Sequence, residues 1–342
     1  MKKIKEIFIY CLLISSFIFL CTNFKSISLS VGNAFNTCIN ILIPSLFPFF
    51  ILADYIVLKL SSKKPPKLYK VLFKMPECTF GAYISGLISG YPVGASAVYT
   101  LYKNNLISKE DASDLICFSN NTGPLFIISA VGCGMFNDLK SGIILYIIHI
   151  SMSILTGIII GTKKKTTKNT YIQNRSNFNM AMSIENSFMK CIKISGFVIF
   201  FAIVKDAIIN ITNLYGECTF ITYLIICIIE ITEGIFCTIK NCGYIESMCI
   251  ASFACGFSGL CIFLQTKLVT QGEIPMKKYF LCKLLNGLAS SVICYILLTM
   301  LNYNKEEIQI NNDIIKPLFP VIFAVLTITY IYSGKKEKSR NL

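Results

Sequence analysis

The stretch SGLISGYPVG, residues 85–94, decides the fold because it interrupts an apolar run that is long enough to enter a membrane. The run covers residues 80–103, and a bilayer crossing needs about 20 apolar residues. Pro92 lacks an amide hydrogen, and Gly90 and Gly94 allow backbone conformations that other residues avoid. A helix that is broken at membrane depth survives only when it is buried in protein or lines a cavity. We therefore predict that this segment is a re-entrant hairpin.

The composition indicates an integral membrane protein. Of the 342 residues, 54% are hydrophobic and 15% are charged, whereas soluble domains carry about 25% charged residues. These values exclude a soluble globular protein and a disordered chain. The net charge of +14 comes from short basic clusters between apolar runs. That pattern is typical of cytoplasmic loops rather than of a nucleic-acid-binding face, so we predict the lipid bilayer and no nucleic acid as partner.

Apolar runs of membrane-spanning length lie at 4–22, 34–58, 80–103, 115–135, 141–161, 184–212, 219–239, 246–269, 278–301 and 318–333. Basic clusters lie at 2–5, 59–74, 163–175 and 335–340, and all four should face the cytoplasm. Three runs separate the second cluster from the third, and five separate the third from the fourth. One run in each set must therefore turn back. In the second half the candidate is 246–269, because SFACGFSG at 252–259 carries Gly256 and Gly259. We predict an all-α polytopic membrane protein with about eight transmembrane helices and two re-entrant broken hairpins.

An internal two-fold repeat is predicted from three matches. Residues 33–41 resemble 186–194, and the glycine breaks at 90 and 256 are each followed by an amide-glycine element, at 120–123 and 286–287. The predicted organisation is an uncleaved N-terminal transmembrane anchor (1–30), a first repeat (31–162), a basic cytoplasmic linker (163–183), a second repeat (184–301) and a C-terminal span with a basic tail (302–342). The matches leave open whether the repeats are parallel or inverted.

Small residues around the first break have two interpretations. Ala82, Gly86, Gly90 and Gly94 recur every four residues, as in closely packed membrane helices. Alternatively, free backbone amides around Gly90–Gly94 bind an anion, as helix ends do. Tyr91 would then offer the anion a ring face and a hydroxyl.

Polar residues at membrane depth are the other candidates for substrate contact. Asn120 and Asn121, in SNNTGP at 119–124, either line a substrate site or cap a helix end. Glu230 and Glu233, spaced i, i+3 in an apolar run, would share a helix face and couple transport to protons or sodium, or pair with a lysine. Glu230 is our candidate for ion coupling or gating.

Nothing in the sequence predicts an enzyme, a cofactor or a metal site. His149 is the only histidine, which excludes zinc sites built on two or three histidines, and a buried packing role suits it better than proton relay. The 16 cysteines include no CxxC pair and are scattered through apolar segments, where they act as small hydrophobic residues. An intramembrane enzyme is the least favoured function, since no nucleophile–base pair is evident.

The combined motifs resemble a known family. ILIPSLFPFFILADYI (41–56), SGYPVGA (89–95), FSNNTGPLFI (118–127), VGCGMF (131–136), SIENSF (183–188) and EITEG (230–234) occur in an order that resembles the sporulation integral membrane proteins of the YlbJ (SpoVV) type. The resemblance covers residues 31 to 300. It implies a Gate-type domain similar to nucleoside transporters, so that the two repeats are gate-like, and it implies self-association as a homo-oligomer.

The resemblance also implies a function in endospore formers. It suggests residence in the mother-cell-derived outer forespore membrane and movement of dipicolinate, a flat aromatic dianion, towards the spore. The residues that we predict to contact this small anionic substrate are Gly90, Tyr91, Gly94, Asn120, Asn121, Gly256 and Ser258. A non-transporting membrane scaffold required for spore formation is the alternative. It would tolerate apolar replacements in the hairpins but not changes in loop 59–77 or 163–183.

Overall fold

The computed structural model describes residues 10, 14–15, 17–61, 63–162, 179–215 and 220–300. Residues 1–9, most of the linker (163–178) and the whole C-terminal segment 302–342 lie outside the described residues. The described residues form helices and no strand, which confirms the all-α prediction.

The α-helices are α1 (Phe24–Thr37), α2 (Ile43–Ser61), α3 (Lys67–Phe73), α4 (Phe80–Ser89), α5 (Val93–Lys103), α6 (Lys109–Ser119), α7 (Leu139–Thr162), α8 (Met180–Tyr215), α9 (Phe220–Ile229), α10 (Ile231–Asn241), α11 (Tyr244–Phe257), α12 (Gly259–Val269) and α13 (Lys277–Met300). π-Helices cover Cys38–Leu42 and Leu125–Met135, and a 3-10 turn covers Glu77–Thr79. Four helical stretches are long and apolar enough to cross a membrane: Leu139–Thr162, Met180–Thr212, Tyr244–Val269 and Lys277–Met300. The predicted total of eight crossings stays a prediction.

The first long helix is formed by α1, the π-helix Cys38–Leu42 and α2, and it packs antiparallel to α8. Ser183 at the start of α8 donates to Asp54 near the end of α2 (3.1 Å). Further along, Cys38 contacts the Ser195 carbonyl (3.9 Å), and Ser30 near the start of α1 donates to Asp206. The two long helices therefore run in opposite directions.

Helices α4 and α5 form a tight hairpin, named hairpin A. Gly86 and Gly94 lie so close that a Cβ built on Gly94 would be 3.0 Å from the Gly86 Cα. The reversal occurs at Gly90, whose φ of +78° suits glycine, and at Pro92. This confirms the predicted turn-back within residues 80–103. The small-residue ladder is not one helix face, because α4 ends at Ser89 before the ladder is complete.

Helix α6 and the π-helix Leu125–Met135, separated by residues 120–124, form broken helix A. It runs antiparallel to α7: Phe118 accepts a hydrogen bond from Ser153 (2.8 Å), and Gly132 meets Gly142 further along. The predicted span 115–135 is therefore interrupted at its Asn-Asn-Thr-Gly-Pro segment.

Helices α9 and α10 form a second hairpin, named hairpin B, with Glu230 at its tip. A Cβ on Gly234 would lie 2.5 Å from the Cys227 backbone nitrogen, and Cys227 is 3.9 Å from the Thr238 hydroxyl. The prediction that run 219–239 is a straight span is therefore wrong.

Helices α11 and α12 form broken helix B, which runs antiparallel to α13 without turning back. Gly256 packs on Gly287. Seven residues later in broken helix B and seven residues earlier in α13, the rings of Phe263 and Phe280 are 5.5 Å apart. The second re-entrant hairpin predicted at 246–269 is therefore wrong. Ser258 and Gly259 both have a φ of +73°, which bends the helix but does not reverse its direction. The chain reversal in the second half lies instead in hairpin B.

The two halves of the described chain thus share the same order of main elements: a long helix, a hairpin, a broken helix and a straight helix. The base of hairpin A and the loop before α13 lie at one end of the bundle, where Tyr99 donates to Glu273 (3.0 Å). The opposite end contains the start of α11, where Tyr244 contacts Ser141 (2.7 Å). Helix α3 lies at the first of these ends, where Phe73 meets Gly161 near the end of α7. We therefore call them the α3 end and the α11 end.

Candidate functional site

The tips of both hairpins meet the breaks of both broken helices inside the bundle. A Cβ on Gly90 would lie 2.5 Å from the Gly123 nitrogen, so the tip of hairpin A touches broken helix A. A Cβ on Gly259 would lie 3.4 Å from the Ile228 and Ile229 carbonyls, so the tip of hairpin B touches broken helix B. The irregular backbone at these tips and breaks is gathered inside the bundle and forms the candidate site.

Asn120 joins three elements through a fully buried carboxamide. Its Oδ1 accepts from the Ala95 amide of hairpin A (3.1 Å). Its Nδ2 donates to the Thr266 hydroxyl of α12 (3.0 Å) and to the Tyr279 hydroxyl of α13 (2.9 Å). The predicted helix-capping role is therefore not its main one, because its partners belong to other elements.

Asn121 connects the break in broken helix A to a buried lysine. Its Nδ2 donates to the Phe118 carbonyl (2.7 Å) and to Ser153 (2.8 Å), and its Oδ1 accepts from Lys283 Nζ (3.0 Å). Lys283 is 1% exposed. Among the described residues no carboxylate pairs with it. The site therefore contains a cation whose hydrogen-bond partner is a neutral amide.

Thr122 ties the same break to α7 and to broken helix B. Its amide donates to His149 Nε2 (3.0 Å), and its hydroxyl donates to the Cys255 carbonyl (2.7 Å). A ring nitrogen that accepts a hydrogen bond carries no proton, so His149 is the neutral tautomer with the proton on Nδ1. His149 has the buried, hydrogen-bonded role that its sequence context predicts.

Tyr91 and Glu230 occupy the two hairpin tips. The Tyr91 hydroxyl is buried and has no hydrogen-bond partner among the described residues. Glu230 lies within electrostatic range of that hydroxyl, and its carboxylate accepts from the Thr232 amide at the start of α10 (3.1 Å). The prediction that Glu230 and Glu233 share one helix face is wrong, because the helix breaks at Glu230 and only Glu233 belongs to α10.

The Gly90 and Gly94 amides, which the anion-site prediction takes as free, are engaged within the protein. The Gly90 and Gly94 amides donate within hairpin A (both 3.0 Å), and the Ala95 amide donates to Asn120. Gly94 instead allows hairpin A to pack against the backbone of Ser119 and Asn120. Close packing is therefore the interpretation that the contacts support.

The predicted residues of the second half lie apart from one another. Ser258 is at the break of broken helix B, where its left-handed backbone ends α11. Gly256 packs on Gly287 of α13, and the neighbouring Asn286 accepts from Thr156 of α7 (2.6 Å). Gly256 therefore positions the bundle rather than facing the hairpin tips.

Sequence reasoning missed Lys283, Tyr279 and Thr266. Thr266 and Tyr279 are ordinary residues of amphipathic or apolar helices, and no motif distinguishes them. Lys283 carried a signal, since a charged residue inside the apolar run 278–301 indicates function. Its position about two turns from the helix start also suits a lysine that reaches the membrane surface, so the run alone does not distinguish the two roles.

Comparison with known proteins gives one relative. The chain is similar to the sporulation integral membrane protein YlbJ of Bacillus subtilis (strain 168), with 22% identity over 301 residues, covering 75% of this chain and 74% of the relative. No family model matches the chain, and no solved structure matches it. The Gate-type domain therefore stays a prediction. The apolar helices and this relative agree with the resemblance drawn from the motifs: the chain is an integral membrane protein that is similar to a YlbJ-type sporulation protein.

Proposed function

We propose that the protein is a transporter or facilitator that moves a small anionic substrate through the site between the hairpin tips. One observation carries the proposal: both hairpin tips and both helix breaks meet inside the bundle, with Asn121 and Lys283 paired beside one break and with Tyr91 and Glu230 at the two tips. Broken helices and irregular backbone at membrane depth are typical of transporter binding sites. A rigid scaffold has no need to keep such costly polar groups inside.

The proposal includes an inverted internal repeat. The long helices α1–α2 and α8 are antiparallel, and each precedes a hairpin, a broken helix and a straight helix. In this arrangement Gly90 corresponds to Glu230, and the break at 120–123 corresponds to Ser258. Hairpin A then enters from the α3 end and hairpin B from the α11 end. Two hairpins that open in turn would expose one site to each side of the membrane.

Dipicolinate is the proposed substrate, and the outer forespore membrane is the proposed location. Both come from the resemblance to the sporulation family. The chemistry of the site is compatible with a dianion, since Lys283 supplies a cation and Tyr91 supplies an unpaired hydroxyl. Glu230 is the proposed ion-coupling or gating residue because it sits where hairpin B must move.

Flux of labelled dipicolinate into liposomes that contain only the purified protein tests the proposal. We expect uptake above that of empty liposomes. Asn121→Leu should abolish the uptake, while Asn104→Leu, an exposed control, should retain it. Absence of flux with the unchanged protein would favour the scaffold function instead.

The coupling role of Glu230 has a matched control in Glu246. Both carboxylates accept a hydrogen bond from a backbone amide at the start of a helix, but Glu246 is exposed. We expect Glu230→Gln to remove any dependence of uptake on a proton or sodium gradient, and Glu246→Gln to preserve it. Equal gradient dependence in both variants would contradict the assignment.

A further inference from the structure

Lys283 is the most unusual charged residue among the described ones. It lies six residues into α13, about 9 Å from the start of the helix at 1.5 Å per residue. The half-buried Lys190 has a carboxylate partner in Asp54, and even the exposed Lys278 pairs with Asp114. Lys283 has the Asn121 amide oxygen instead. An ammonium group that is buried without a counter-ion is costly, so its retention needs a reason.

Among the described residues, the neighbours of Lys283 include the thiols of Cys117 and Cys282 but no carboxylate that would supply this reason. His149 is neutral, since its Nε2 accepts the Thr122 amide. The Tyr279 ring lies 5.8 Å from Nζ and offers a π face rather than an anion. The Asn121 oxygen is one weak partner for a group with three N–H donors. An entering anion would therefore gain a strong, charge-assisted interaction that the protein alone does not provide.

We propose that Lys283 is the counter-ion for a carboxylate of the substrate, and that Asn121 holds its ammonium group in the empty site. This inference rests on the proposed function, because it assigns the substrate class of that same site. Asn121 belongs to the non-helical segment 120–123, so a rotation of its side chain would free Nζ without breaking a helix. The selected class is small carboxylates, and neutral isosteres are rejected.

A ligand series with the purified full-length protein tests this assignment. Binding of dipicolinate, picolinate and pyridine-2,6-dicarboxamide is measured by calorimetry in detergent. We expect dipicolinate and picolinate to bind. The neutral diamide should bind at least about tenfold more weakly than dipicolinate, because a buried charge pair is lost. The series uses the unchanged protein, so it does not depend on the folding of a variant. Equal binding of the diamide and dipicolinate overturns the inference.

Substitutions of Lys283 identify the residue. Lys283→Met should weaken dipicolinate binding at least about tenfold, Lys283→Arg should retain part of it, and Lys277→Met, an exposed control on the same helix, should leave it unchanged. The melting temperature of ligand-free Lys283→Met should not fall, because a buried charge is removed. Unchanged affinity in Lys283→Met overturns the inference.

The two proposals fail separately. Dipicolinate flux that persists in Lys283→Met leaves transport standing and removes the lysine assignment. Lysine-dependent carboxylate binding without any flux supports the lysine assignment and removes transport.

Discussion

Replacing Asn120 by alanine should destabilise the protein more than any other single truncation of a polar side chain in the site. The change deletes three hydrogen bonds to three different elements, with lengths of 2.9–3.1 Å. The Ala95 amide is left buried without an acceptor, which costs about 1–3 kcal/mol. The two lost hydroxyl contacts add about 0.5–1.5 kcal/mol each. The free energy of unfolding should therefore fall by about 4 kcal/mol.

A thermal melt of the purified protein in detergent, read by size-exclusion chromatography, measures this loss. An entropy of unfolding of about 2.1 cal/mol/K per residue makes each kcal/mol worth about 1.4 °C for 342 residues, so we expect a decrease of about 6 °C. Asn104→Ala is the control, because Asn104 is exposed and makes no side-chain hydrogen bond among the described residues. A decrease of less than about 2 °C in Asn120→Ala would refute the view that this amide holds hairpin A, α12 and α13 together.

Two further predictions concern packing and pH. Gly94→Ala places a Cβ against the Ser119 carbonyl oxygen and 3.0 Å from the Asn120 Cα, and backbone atoms cannot move aside. The yield of folded Gly94→Ala protein should be very low. Gly196→Ala, whose added Cβ lies in open space on α8, should raise the free energy of unfolding by up to about 1 kcal/mol. Equal yields of the two variants would show that hairpin A does not pack as described. Lys103 holds the pKa of Glu273, in the loop before α13, below its ordinary value of 4.5. Because the folded-state pKa is lowered, ionised Glu273 stabilises the fold above pH 4.5, and this stabilisation is lost in stronger acid. The wild-type protein should therefore be slightly more stable than Glu273→Gln at neutral pH, and the difference should vanish on acidification. A difference that persists in acid would contradict the ion pair.

Hairpin A was predictable because its signal is local. Gly90 and Pro92 interrupt a helix whatever surrounds them, and an apolar run with such a break must turn or bend. Asn120 and Asn121 were predictable for a similar reason, since paired amides at membrane depth require partners. Their partners were not predictable, because Thr266 and Tyr279 reach Asn120 only through the tertiary fold.

The prediction placed the chain reversal of the second half in broken helix B instead of in hairpin B, for a physical reason. Glycine content was taken as the sign of a reversal, and SFACGFSG is richer in glycine than the residues around Glu230. Glycine permits a bend as readily as a reversal, so the choice depends on what packs behind it. Gly256 is used for close contact with Gly287, which keeps α11 alongside α13. Gly234 is used for close contact with Cys227, which folds α10 back on α9.

The charge clusters and the packing agree on the direction of the chain through the first half. A Cβ on Gly161, one residue before the end of α7, would lie 2.7 Å from the Phe73 carbonyl of α3. The end of α7 at Thr162 therefore lies at the α3 end, beside the basic helix α3. From α2 to the end of α7 the chain makes two further passes, broken helix A and α7, so hairpin A must return to the end from which it enters. A continuous helix over 80–103 would place the end of α7 at the opposite end of the bundle and break the contact between Phe73 and Gly161. The polar site thus exists because the segment around Gly90 cannot cross.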